Sequence, residues 1–230
     1  MSTSPDLHLK GAPTEQDTIP PVPGRPIFLL FGLPALLFAL ITWQVAAHGP
    51  LARVDERLSG SIVRPSRFYE LLADLGNITV AVPVLAVVLV YVAVRAHRAG
   101  TDRWWLPSLA AAVLMAAVPA VIVPLKELIA RPGPPVMGPG TGFYPSGHTA
   151  TAAIAYGAAA LLLLPWLRTP YARRELVIVC LALNTLVAFG LIRCGFHWPL
   201  DVVASWCLSV ILLRLMVLVV ARYGRGAAEG

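Results

Sequence analysis

Charge is scarce in this chain. Asp, Glu, Lys and Arg make up only 13% of its 230 residues, against roughly 25% in ordinary globular proteins. So little charge excludes a disordered chain, a nucleic-acid-binding domain and an ordinary water-soluble enzyme. Cysteine is scarce too. Cys180, Cys194 and Cys207 have no metal-ligand spacing, and three thiols make no readable disulfide framework. They read as small apolar fillers. The sequence has no internal repeat and no Gly-rich nucleotide loop. The net charge of +6 does not point to nucleic acid, because the basic residues sit mostly in short gaps between apolar runs. That is a membrane pattern.

Apolar residues, by contrast, make up 57% of the chain. Residues 27–51, 75–94, 104–125, 132–167 and 176–192 contain no Asp, Glu, Lys or Arg, and 202–221 is broken only by Arg214. A helix needs about 20 apolar residues to cross a ~30 Å hydrocarbon core. The sequence therefore predicts six spans, at about 27–47, 76–95, 105–126, 148–166, 175–192 and 200–221. Backbone polar groups in lipid must be satisfied within the segment, so these runs are expected to be helices. Their continuous Ala, Leu and Val content does not fit barrel strands. The expected fold is all-α, a polytopic membrane domain over 27–222. It is flanked by a polar, Pro-rich tail at 1–26 and a short tail at 223–230. The first 26 residues lack a basic start leading into a short apolar core, so they do not read as a signal peptide.

With the N-terminus in the cytoplasm, ten Lys and Arg fall on the cytoplasmic side and seven on the outer side. This bias predicts cytoplasmic termini in a cell membrane. The first outer loop stands apart, with Arg53, Arg57, Arg64 and Arg67 interleaved with Val54, Leu58, Phe68 and Leu71. It reads either as a helix lying in the membrane interface or as a solvated loop.

Polar residues at the ends of spans are few, and they fall in three segments. Lys126, Glu127 and Arg131 close the third span. Tyr144-Pro145-Ser146-Gly147-His148 opens the fourth. Arg193, His197 and Asp201 join the fifth to the sixth. In a six-span arrangement all three segments lie on one membrane face. Ser146 and Gly147 precede an apolar helix, where free N–H groups and the helix dipole attract an anion. His197 and Asp201 are four apart, which sets a carboxylate beside an imidazole. A carboxylate on one ring nitrogen leaves the other free to attack. The spacing also admits metal, but no further Cys or carboxylate cluster supports it. Lys126 and Arg131 read either as snorkelling cations or as part of a phosphate cradle.

These residues resemble the motifs of the type 2 phosphatidic acid phosphatase (PAP2) superfamily: Lys-x6-Arg-Pro, Pro-Ser-Gly-His and Ser-Arg-x5-His-x3-Asp. The second matches fully at Pro145-Ser146-Gly147-His148, the third at His197 and Asp201, and the first at Lys126. Order, spacing and spans agree over about 27–222. Two positions depart: Gly133-Pro134 stands where the family has Arg-Pro, and Gly190-Leu191 where it has Ser-Arg. Arg131 lies two positions early and Arg193 two positions late: either both reach the site from shifted places, or the cradle is weaker and the substrate differs.

The resemblance implies a membrane lipid phosphatase needing no metal or other cofactor. His197 would be the nucleophile and form a phosphohistidine, Asp201 would orient it, and His148 would serve as acid and then base. Lys126, Arg131, Ser146, Gly147 and Arg193 would hold the phosphate. The implied partners are the bilayer and a lipid phosphate such as a polyprenyl pyrophosphate, phosphatidic acid or phosphatidylglycerophosphate, met at the outer face. A lipid phosphotransferase and a non-catalytic lipid-binding or transport protein are the alternative readings. A transporter would place polar residues deep in several spans, whereas here they cluster at one end.

Overall fold

The computed structural model of the chain describes residues 31–224. The expected N-terminal tail, the first four residues of the first span and residues 225–230 of the C-terminal tail lie outside the described residues. The order is α1 (Leu33–Ala46), α2 (Pro50–Ile62), α3 (Arg67–Asp74), α4 (Ile78–Arg98), α5 (Leu106–Ile129), α6 (Gly147–Leu163), α7 (Pro170–Cys194) and α8 (Pro199–Gly224). Every described element is helical. α4, α5, α7, α8 and α6 with its short extension to Trp166 are each long and apolar enough to cross a membrane. A sixth candidate is the pair α1 and α2, bent by 81°. The uncharged runs thus placed the long helices to within a few residues. The loop between the first two spans holds two further helices, α2 and α3.

Hydrogen-bonding side chains set the starts of four helices. Ser66, Asn77, Ser146 and Thr169 accept from the backbone N–H groups of Tyr69, Thr79, Thr149 and Ala172 respectively. Each satisfies a donor that the first helical turn leaves open. α7 closes on Gly195 at φ +71°, a left-handed residue that turns the chain back toward His197.

α6 is the axis of the bundle. Of its span, 67% is buried, against 17–33% for the other long helices. Small residues such as Ala152, Ala155, Ala158 and Gly157 make this possible, since they let neighbouring backbones approach. Long aliphatic side chains such as Val87, Val113, Leu181 and Leu218 point outward, as a lipid-facing surface requires.

α3 lies directly on α7. A Cβ added at Gly190 would stand 2.5 Å from the Ala73 backbone nitrogen and 2.6 Å from the Tyr69 carbonyl oxygen. Arg193, one turn further along α7, secures the same region. Its Nη1 donates to the Ile62 carbonyl at 2.7 Å, its Nη2 donates to the Tyr69 hydroxyl at 3.3 Å, and its guanidinium stacks 4.8 Å from the Tyr69 ring centre. Gly190→Ala therefore overpacks a backbone-to-backbone contact and is expected to destabilise by about 1–3 kcal/mol. Thermal unfolding in detergent checks this as a lowered Tm. Gly60→Ala, at a position with nothing within 4 Å, is the matched control and should show no such loss.

Candidate active site

The three polar segments meet at one end of the bundle. Lys126 from the last turn of α5, Gly147 and His148 from the first turn of α6, and His197 ahead of α8 line one cavity of about 360 Å³. Gly76 and Asn77 from the turn before α4 complete this part of its wall.

Gly147 opens α6 toward the cavity. A Cβ there would meet only Lys126 Cε, at 3.9 Å, so space lies in front of the helix start, where N–H groups and the macrodipole favour an anion. Lys126 Nζ donates to the Gly142 carbonyl at 2.6 Å, which holds its ammonium beside this turn. His197 Nδ1 lies 3.3 Å from Asp201 Oδ2. With Asp201 ionised, Nδ1 carries the ring proton, and Nε2 keeps a lone pair. Phe143 packs against the same imidazole, with ring centres 6.0 Å apart and an edge-on tilt.

Asp201 is fully buried and closely held. Its Oδ2 also accepts from the Trp198 N–H at 3.1 Å, and its Oδ1 accepts from Arg131 Nη1 at 2.6 Å. Arg131 in turn donates through Nη2 to Asp55 Oδ2 at 2.9 Å and lies 3.6 Å from Glu56 Oε1. Its guanidinium sits 5.3 Å from the Trp198 ring centre, while the Trp198 indole N–H donates to the Pro132 carbonyl at 2.9 Å. Asp55 Oδ1 accepts from the Leu200 N–H at 3.1 Å, in the first turn of α8. Burial opposes the charge on Arg131, but Asp201 and then Asp55 more than offset it, so the guanidinium pKa stands above its usual value.

Three residues expected to hold the phosphate lie away from the lining of this cavity. Arg131 is only 4% exposed, with its donors turned to carboxylates, and it does not line the cavity. Arg193 is committed to α2 and α3. Ser146 is fully buried, and its hydroxyl caps α6, accepting from Thr149 N at 3.3 Å and Thr149 Oγ1 at 3.0 Å. The cavity therefore has Lys126, the Gly147 turn and two histidines, without either arginine.

The two motif departures have steric counterparts. A Cβ at Gly133 would run into the Phe143 ring at 2.6 Å, and Gly190 backs onto α3. Asp55 was not among the candidate residues of the sequence. Its signal was a carboxylate on the stripe Ala52, Asp55 and Ser59, which helical spacing puts on one face and which the structure buries. Asn77 and Gly76 carried no comparable signal.

The PAP2 superfamily model matches residues 107–225, from α5 through α8. No curated protein matches the chain. Among solved structures, a transmembrane PAP2-type phosphatidylglycerolphosphate phosphatase from Bacillus subtilis aligns with a TM-score of 0.68 and 23% identity. The alignment covers 84% of this chain and 98% of that one. At that identity the likeness is one of fold, and it places the described bundle in the same architecture. The family match covers more than half of the sequence, and the chain belongs to the PAP2 superfamily.

Proposed function

We propose that this protein is a membrane phosphatase that removes phosphate from a lipid through a phosphohistidine on His197. The observation that carries the reading is the meeting of His197, backed by Asp201 at 3.3 Å, with His148, Lys126 and Gly147 around one cavity. In the first step His197 Nε2 attacks phosphorus. A P–N bond forms, the bond from phosphorus to the lipid oxygen breaks, and His148 gives that oxygen a proton. In the second step His148 takes a proton from water, and the water oxygen displaces His197 as inorganic phosphate leaves. Asp201 keeps the Nδ1 proton in place and stabilises the charge on the ring. Lys126 and the Gly147 N–H hold the phosphoryl oxygens as charge develops. These cations and dipoles supply the stabilisation that a metal would otherwise give. Arg131 acts on Asp201 from behind and does not touch substrate.

A lipid substrate is supported by a second cavity of about 370 Å³ between α4 and α5, lined by Val82, Leu85, Ala112 and Met115 among others. It shares Ile78, Val118, Pro119 and Thr151 with the site cavity, so a phosphate and an apolar chain fit end to end. Phosphatidylglycerophosphate, phosphatidic acid and polyprenyl pyrophosphate all present that shape. The ten-to-seven distribution of basic residues supports cytoplasmic termini and a site at the outer face.

The test is phosphate release by the purified protein in detergent, from these three lipids and from a water-soluble phosphate. At least one lipid is expected to be cleaved, and activity should persist in EDTA. His197→Ala should fall by at least about 10²-fold, and His148→Ala should accumulate acid-labile phosphate on the protein. Full activity in His197→Ala would remove the nucleophile and end the proposal. Ala112→Phe narrows the α4–α5 groove. It should raise KM for the lipid while leaving the water-soluble phosphate unaffected. Arg131→Ala strands two buried carboxylates and should cost about 3–5 kcal/mol of stability, measured by unfolding in detergent. Arg131→Lys restores one charge without the fork, and should recover part of that stability while kcat stays low.

A further inference from the structure

α2 presents three different faces. Ala52, Asp55 and Ser59 are buried against the rest of the protein. Leu51, Val54 and Leu58 form a second stripe that is 43%, 47% and 56% exposed. Arg53 and Arg57, one turn apart, form a third exposed stripe, with no ion-pair partner among the described residues. The acids of the helix contact Arg131 instead: buried Asp55 at 2.9 Å, and Glu56, its side chain 41% exposed, at 3.6 Å. The two arginines are thus left facing outward.

No single solvent accounts for the two exposed stripes. Water leaves the Leu51–Val54–Leu58 stripe unexplained, and hydrocarbon leaves the arginines unexplained. The boundary between them satisfies both. α2 turns 81° from α1, and Trp43, near the end of α1, is 63% exposed, which suits an aromatic side chain at a membrane surface. α2 is at the active-site end of the bundle, because Asp55 reaches both Arg131 and the start of α8. Phe68 and Leu71 on α3 are likewise exposed apolar side chains, at 63% and 51%.

We infer that α2 docks the anionic phospholipid headgroups of the leaflet at which the site opens, through Arg53 and Arg57, and thereby holds Asp55 on the Arg131–Asp201 pair behind His197. The arginine fork suits phosphate oxygens, and each basic residue at an anionic surface contributes about 1 kcal/mol. Asp55 is a positioning residue in this arrangement, and the inference rests on the phosphatase reading for its effect on turnover.

The experiment reconstitutes the full chain in phosphatidylcholine vesicles, with and without phosphatidylglycerol, and follows hydrolysis of a water-soluble phosphate. A soluble substrate removes any effect of surface concentration. Wild-type kcat should rise with the anionic lipid by up to about 30-fold, the factor equivalent to about 1 kcal/mol for each of the two arginines. Arg53→Gln/Arg57→Gln should keep the rate found in neutral vesicles and lose the rise, while Arg53→Lys/Arg57→Lys should retain it. Asp55→Asn should lower kcat with KM unchanged and no longer respond to anionic lipid. Native mass spectrometry supplies a readout independent of turnover: the double Gln variant should retain fewer phosphatidylglycerol molecules than wild type. Equal retention, or a rise in kcat that survives in the double Gln variant, would overturn the inference. So would a wild-type rate indifferent to lipid charge while His197→Ala is inactive. An active His197→Ala would instead overturn the phosphatase reading, with lipid retention still deciding the role of α2.

Discussion

A guanidinium enclosed by carboxylates, almost out of reach of water, ties the active-site end of this protein together. A buried charge without a partner costs several kcal/mol, and an ion pair offsets that cost only when its geometry and hydrogen bonds are complete. Arg131 meets the condition by contacting Asp201, Asp55 and Glu56 at 2.6, 2.9 and 3.6 Å. None of the three central groups is tenable alone, so α2, the loop after α5 and the start of α8 must come together for any of them to be buried. The orientation of His197 follows, because Asp201 has one oxygen on Arg131 and the other on the imidazole and the Trp198 N–H.

The same constraint redistributes the positive charge of the site. Arg131 neutralises carboxylates behind the histidine, and Arg193 fastens α2 and α3 to α7. What faces the cavity is Lys126, the N-terminal turn of α6 and two imidazoles. Phe143 fills the space that a side chain at position 133 would need, and α3 fills that at position 190. Both departures from the family motifs are thus built into the packing around the site.

Much of this was legible in the residues. Uncharged runs located the spans, because hydrocarbon tolerates no unpaired charge and imposes a fixed length. Local spacing exposed the site's core as well. His197 and Asp201 stand four apart, close enough for the carboxylate in the first turn of α8 to reach the imidazole just ahead of it, and Ser146-Gly147-His148 marks a helix start. The partners of Arg131 and Arg193 were not legible. Arg131 finds Asp201 and Asp55 across 70 and 76 residues, and Arg193 finds Ile62 across 131. No periodicity encodes such pairings. Nor could the loop between α1 and α4 be resolved into α2 and α3, since an amphipathic segment at a bilayer edge and a solvated one share the same mixture of residues.

A membrane-spanning helical chain with two histidines, a carboxylate and a lysine at one end follows from the order of residues alone. Each of those features rests on local composition or on contacts within a turn. Which cations face the cavity and which neutralise buried acids was settled by the folding of distant segments onto one another. That choice depends on the cost of desolvating each charge, and the cost is set by whatever distant segment packs against it.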